Sequence, residues 1–217
     1  MSRSLRDCLA VPFSWGVVVP VKRLSVAKTR LASYGDEVRQ QLALAFAADV
    51  VTVALQTPTV WHVLVVTDDE RATELLVALG ATSAADDPDD GLNPALVHGA
   101  DLLRRRDPGL GIVTLSADLP ALRPQDLSDV LTLVEPGRRG FVADSGATGT
   151  TLLAAGPGAN LLPAYGARSR EQHLRSGARE LPAPEGLRRD VDTPADLELA
   201  VRLGVGTHTS RVLRRLR

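Results

Sequence analysis

The chain has 217 residues, 44% hydrophobic and 24% charged, the composition of a folded globular protein rather than a disordered one. Twenty-five basic and 26 acidic residues leave a formal charge of -1, which argues against a generally basic nucleic-acid binder, and no apolar run reaches the ~18 residues of a membrane span. One cysteine, Cys8, excludes an internal disulfide and a cysteine-built zinc site, and the start lacks a secretory-signal pattern, so a cytoplasmic protein without nucleic-acid or membrane partners is expected.

Residues 16–21 (GVVVPV) form a β-branched run that predicts a buried strand. A polar, basic stretch follows to Tyr34 and ends at Gly35. Residues 36–56 carry helical periodicity. A second buried strand is predicted over 62–67 and a helix over 69–79, closed by Gly80. Residues 81–85 form a short strand, and the acidic run Asp86, Asp87, Asp89 and Asp90 a solvated turn. A helix over 94–106 follows, with Asn93 as N-cap and Pro94 at its first position. Residues 111–116 predict a third long strand, 124–134 a helix, and 141–144 and 151–155 strands on either side of a glycine-threonine loop. A short helix over 169–176 leads to a strand end at 187–192. Thr193 then caps a helix to about Leu203, and 206–217 form a basic tail that reads as a frayed helix.

Strands alternate with helices through most of the chain, which predicts an α/β fold with a mixed, largely parallel sheet. Ligands of such sheets bind beyond the carboxyl ends of the strands. That rule selects residues 20–30, 67–69, 86–93, 117–120 and 190–193.

The first of these segments is singular. Only two of the 25 basic residues are lysines, and both, Lys22 and Lys28, lie in it, with Arg23 and Arg30 between and beside them. Four cations on a strand-end loop suit a polyphosphate. The segment is neither a P-loop nor a dinucleotide fingerprint, because the glycines of both are missing. Asp118, in SADLP directly after a strand, is placed to hold a divalent cation or to cap a helix. If the chain is extended at 190–192, Asp190 and Asp192 point the same way and can complete a magnesium site with Asp118. The GATGTT loop (146–151) and the YGARS stretch (165–169), with Ser169 placed for a helix N-terminus, offer backbone and hydroxyl donors for an anion. His62, His98, His173 and His208 have no metal-ligand spacing, and no serine sits in a hydrolase elbow.

Taken in order, VPVKRLSVAKTRL, DDGLNPAL, SADLPAL, FVAD with ATGTTLL, YGARSREQH and RDVDTPADLELAVRLGVG resemble the guanylyltransferases that act on phosphoenolpyruvate or 2-phospho-L-lactate in deazaflavin coenzyme (factor 420) biosynthesis. The resemblance runs over residues 16–206. It implies a single nucleotidyltransferase domain of glycosyltransferase-A-like, Rossmann-like type there, between an N-terminal tail (1–15) and a basic C-terminal tail (207–217). It further implies GTP, Mg2+ and release of pyrophosphate. Asp118, Asp190 and Asp192 stand at the family's metal positions. Thr150, Gly166 and Ser169 stand where the three-carbon phosphorylated acid is bound. Lys22, Arg23, Lys28 and Asn93 stand on the nucleotide side, Lys22, Lys28 and Asp118 being the catalytic set. The glycine-rich first loop of the wider superfamily is replaced here by VKRLSVAKTR.

The chemistry needs no general base, because a phosphate nucleophile is already ionised near neutral pH. It needs charge neutralisation and alignment. The alternatives are a nucleotidyltransferase acting on a molybdopterin or a sugar phosphate, and a non-catalytic nucleotide-binding regulatory domain. A downstream transferase of the same pathway is an expected partner.

Overall fold

The fold is a computed structural model that describes residues 13–87 and 90–216. Cys8 and Asp89, named above, lie outside the described residues. The elements in chain order are β1 (Trp15–Pro20), a 3-10 helix (Thr29–Tyr34), α1 (Asp36–Gln56), β2 (Val60–Val66), α2 (Glu70–Ala78), β3 (Thr82–Ala84), α3 (Leu92–Arg106) and β4 (Gly111–Leu115). Then come α4 (Pro124–Leu131), β5 (Arg139–Ala143), β6 (Thr150–Ala155), α5 (Ser169–Arg175), β7 (Arg179–Glu180), α6 (Glu185–Arg188), α7 (Pro194–Leu203) and α8 (Thr207–Arg215).

The strands form one sheet in the order β3-β2-β1-β4-β6-β5-β7. All pair in parallel except β6, which runs antiparallel to both neighbours, β4 and β5. This is the mixed, mostly parallel α/β sheet expected from the alternation of elements. Alternate residues of β1 feed opposite faces. Val17 and Val19 meet Ala47, Val50 and Val51 of α1, whereas Val18 meets Leu96, Ala100 and Leu103 of α3. Gly99 permits that second contact, since a Cβ there would lie 2.7 Å from Val18 Cγ1.

α1 is long and apolar enough to cross a membrane by length and composition alone, but most of it is buried as the central core helix. It carries two buried charged residues, Arg39 and Asp49. Asp49 accepts from the backbone N–H groups of His208 and Thr209, each at 2.9 Å, at the start of α8. The segment after Gly206 is therefore a docked helix and not a frayed one. Val212 and Leu213 pack on a third apolar cluster built around Leu31, Leu42, Phe46, Val191 and Leu197.

Two sequence expectations change. Residues 187–192 form no strand. Both edges of β4 are taken by β1 and β6, and β7 pairs with β5, so the chain instead turns through α6 and crosses the strand ends. Asn93 is not the cap of α3. The helix begins at Leu92 after Gly91, whose φ of +94° is glycine's territory, and the Asn93 side chain is drawn into other bonds.

The Asp49 contact makes α8 part of the cooperative fold. Asp49→Ala leaves two helix-start N–H groups unpaired inside the protein and is expected to lower the unfolding free energy by about 2–3 kcal/mol. Urea denaturation measures it, and an unchanged midpoint would contradict the assignment.

Candidate active site

The carboxyl ends of β1, β2 and β4 and the start of β6 lie along one edge of the sheet. The loop leaving β1 is the most constrained piece there. Leu24 is buried within it, and Leu31, in the 3-10 helix that follows, packs with Leu42 and Phe46 of α1 and Leu197 of α7. Arg39 of α1 then holds the loop backbone. The guanidinium, almost fully buried, donates to the carbonyls of Leu24 (3.1 Å), Ser25 (2.9 Å) and Ala27, and pairs with Asp36 (3.2 Å). Asp69, the N-cap of α2, adds a bond from Leu24 N–H at 2.8 Å while capping Ala72 N–H at 3.0 Å. Planar multidentate donation of this kind is what a guanidinium does and an ammonium does not.

The clamped loop sets Lys28 in a left-handed conformation (φ 53°) and turns its stem inward. Its Nζ donates to Asp118 Oδ2 and, at 2.7 Å, to Asp192 Oδ1. Arg30 adds a looser contact to Asp192 at 3.6 Å. Burial alone would lower the Lys28 pKa, but the two carboxylates outweigh it and raise it well above its ordinary value. A cleft of about 380 Å³ opens over this cluster, with Lys22, Lys28, Arg30, Ser116, Asp118 and Asp192 in its wall.

The carboxylates are set by local structure. Asp118 follows β4, and its carbonyl accepts from Val191 N–H at 3.0 Å, tying the two acidic segments together. Thr193 and Asp196 form the expected capping box, and Asp196 Oδ2 also accepts from the Asp192 N–H at 3.3 Å. The cap thus fixes the backbone of Asp192 as well as the helix. Asp190 is half-buried and is pushed up to about 7, first by burial and then by the charges of Asp118, Asp192 and Asp144. Asp118 Oδ1 is buried and has no hydrogen-bond partner. Among the described residues no three His, Cys, Asp or Glu side chains form a ready cage for a metal ion. An oxygen site of one or two carboxylates plus substrate phosphates and water asks for less than a cage, and the unpartnered Asp118 oxygen among clustered carboxylates fits a hard cation.

The glycine-threonine and YGARS segments meet next to this cleft. Ser116 N–H bonds to Thr151 O at 2.9 Å, which places the start of β6 beside the segment leading to Asp118. An irregularity in the β5–β6 register sets Thr150 opposite Ala143. Thr150 Oγ1 receives Ser169 Oγ–H at 3.1 Å and lies 2.9 Å from His173 Nδ1. Gly166 is exposed at φ +132°, and its carbonyl accepts from Ser169 N–H at 3.2 Å. Asp144 closes the glycine-threonine loop by accepting from Thr148 and Gly149 N–H at 2.9 and 2.8 Å.

The structure therefore brings Lys22, Lys28, Asp118 and Asp192 around one cleft, with Asp190 close by and Thr150, Gly166 and Ser169 in a neighbouring cluster. Arg23 lies outside, in an exposed contact with Asp68 at 3.4 Å. Asn93 spends its side chain on the backbone of Tyr165, at 3.0 and 2.7 Å, and lines a separate shallow groove with Asp87, Val97 and His98. Sequence reasoning missed Arg39, Asp144 and His173. An arginine inside an otherwise apolar helix face was a readable signal for the first. The others depend on contacts between segments distant in the chain.

His173 is fully buried. Burial, followed by the charge of Arg139, pushes its imidazole down to about 4. A base with a depressed native pKa leaves the unfolded state holding more protons between pH 6.5 and 4. Its stabilising contribution is complete above pH 6.5, declines as the pH falls, and is gone below about 4. The advantage of wild type over His173→Leu should shrink by about 3 kcal/mol from pH 7 to pH 4 in parallel urea titrations. A constant difference would contradict the buried neutral imidazole.

A phosphoenolpyruvate guanylyltransferase of Thermomonospora curvata is 50% identical over 206 residues, covering 94% of this chain and 90% of that protein. One of Streptomyces coelicolor is 50% identical over 205 residues, covering 93% and 97%. Among solved structures, a Desulfovibrio desulfuricans G20 protein provisionally named a nucleotide-diphospho-sugar transferase superposes with a TM-score of 0.68 at 18% identity, over 94% of this chain and 95% of that one. A 4-diphosphocytidyl-2C-methyl-D-erythritol synthase gives 0.60 at 14% identity, over 88% and 99%; both show the nucleotidyltransferase fold. The family model described as "Guanylyl transferase CofC like" matches residues 15–217, and on that match and those relatives the chain belongs to the CofC-like guanylyl transferase family.

Proposed function

We propose that this protein transfers GMP from GTP to phosphoenolpyruvate, with release of pyrophosphate, in the biosynthesis of a deazaflavin coenzyme. The observation that carries the reading is the strand-end cleft in which Lys22, Lys28 and Arg30 meet Asp118 and Asp192. Cations for phosphates and carboxylates for a metal are combined there, and no imidazole is in the cleft wall among the described residues. The relatives' name, phosphoenolpyruvate guanylyltransferase, supports the choice of donor and acceptor.

A phosphate oxygen of the acid attacks the α-phosphorus of GTP. The new P–O bond forms as the bond to the β-phosphate's bridging oxygen breaks, and pyrophosphate leaves with the electron pair. Both partners are anionic, so the protein's task is to hold them in line and offset their charge. Lys22 and Lys28 act on the triphosphate and the departing pyrophosphate, with Arg30 and Arg23 at the rim. Thr150, Gly166 and Ser169 hold the acid, and the face near Asn93 takes the nucleoside. Asp118, Asp190 and Asp192 would hold Mg2+, which when bound supplies positive charge shared between substrate phosphates. 2-Phospho-L-lactate is the closest alternative acceptor, differing by two hydrogens. The product, a diphosphate whose P–O–P anhydride joins the acid to GMP, is to be taken up by a downstream transferase.

The test is pyrophosphate release with Mg2+ and each nucleoside triphosphate, with phosphoenolpyruvate, 2-phospho-L-lactate, a sugar phosphate or no acceptor. Release with GTP and phosphoenolpyruvate is expected, falling at least about 100-fold in Asp118→Asn. Release with a sugar phosphate instead would make the protein a different nucleotidyltransferase. GTP binding without release under any condition, even with the downstream transferase and its deazaflavin acceptor added, would make it a binding domain. Wild-type turnover by Asp118→Asn would remove the metal role.

A further inference from the structure

Thr150, assigned above to the acid, has a neighbour that the reaction leaves unused. His173 lies on α5, 0% exposed, with its ring tilted against Phe141 (centroids 5.6 Å apart) and edge-on to Tyr165 (5.4 Å). Both ring nitrogens are engaged. Ala164 N–H points at Nε2 at 3.0 Å, and Thr150 Oγ1 lies 2.9 Å from Nδ1.

These two contacts fix the proton. A backbone amide can only donate, so Nε2 must carry the lone pair. The neutral ring then carries its hydrogen on Nδ1, which donates to Thr150 Oγ1. Ser169 Oγ donates to the same oxygen at 3.1 Å. The Thr150 oxygen thus accepts twice, and its own hydrogen has no acceptor in the trio. Thr150 is also the member that keeps some exposure, 8% against 1% for Ser169 and 0% for His173. The hydrogen left over belongs to the least buried member of the trio, and an anionic ligand offers only acceptors.

We infer that His173 is a positioning residue that fixes the Thr150 hydroxyl as a donor toward the phosphorylated acid and ties the loop before Gly166 to the same point. This rests on the reading of Thr150 as an acid-binding residue. His173 itself does not reach the substrate. It joins β6, the start of α5 and the loop at Ala164, so that the donors for one anion are set together before it arrives. Ser169, by the same hydrogen bonding, directs its hydroxyl hydrogen into the protein, so that of the two hydroxyls the one of Thr150 is left to donate to the ligand.

The test is a double-mutant cycle of Thr150→Val and His173→Leu, with KM for phosphoenolpyruvate and for GTP measured separately. Each single variant should raise the KM for the acid about tenfold and leave the KM for GTP within about twofold. The double variant should be no worse than the poorer single one, because both remove the same donor. His173→Asn, which keeps an N–H toward Thr150, should return the KM for the acid to within about threefold of wild type. If Thr150→Val raises it and His173→Leu does not, or if the two effects multiply, the positioning role is overturned and the binding role of Thr150 stands. If Thr150→Val leaves it unchanged, the acid site itself is misassigned and the inference falls with it. Should His173→Leu not fold, His173→Asn decides: a rise in the acid KM matching that of Thr150→Val overturns the proposal.

Discussion

The Lys28 ammonium sits between Asp118 and Asp192 and joins three segments that are distant in the chain: the loop after β1, the turn after β4 and the lead-in to α7. Two carboxylates so close together repel unless a cation stands between them. A partly buried cluster of this kind adds little net stability, because desolvation offsets the Coulomb attraction. Its effect is therefore positional. The surrounding structure is arranged to make that position unavoidable. Arg39 and Asp69 hold the loop, and the Thr193–Asp196 capping box holds the backbone beside Asp192.

The sheet explains why these segments meet. β1, β2 and β4 run in parallel, so their outgoing loops emerge on one edge, and the reversed β6 delivers the start of its strand to the same edge. A parallel strand at that place would have brought its end there and left the glycine-threonine loop on the far side. One antiparallel strand therefore sets Thr150, Ser169 and His173 beside the charged cleft. The acidic group and the hydroxyl group are then neighbours without sharing a single hydrogen-bond network among the bonds described above.

Most of the architecture was legible in the residues. β-branched runs gave the buried strands, and the 36–56 helix agrees residue for residue. Thr193, Pro194 and Asp196 announced their cap. The confinement of both lysines to one strand-end loop pointed at the cleft. What escaped reading depends on tertiary context. Residues 187–192 look like a strand by pattern, but both edges of β4, the strand whose outgoing turn they meet, are already paired. Asn93 looks like a cap, but Gly91 takes the turn and Tyr165 takes the side chain. Arg39 stands out on its apolar helix face, but its partners are unknown until the loop carbonyls above it are placed, and His173 reads as an isolated histidine until Ala164 and Thr150 close around it. Local chemistry was visible, whereas the choice of partner was set by the fold.

From between Asp118 and Asp192, Lys28 is the group expected to bring positive charge to bound triphosphate. The direct measurement is kcat/KM for GTP, at saturating phosphoenolpyruvate, in Lys28→Met and Lys28→Arg, with folding checked by urea denaturation. A loss of about 100-fold or more in Lys28→Met is expected, with only partial recovery in Lys28→Arg, because a planar fork does not fit a space set for a compact ammonium. A folded Lys28→Met protein with wild-type kcat/KM would contradict it.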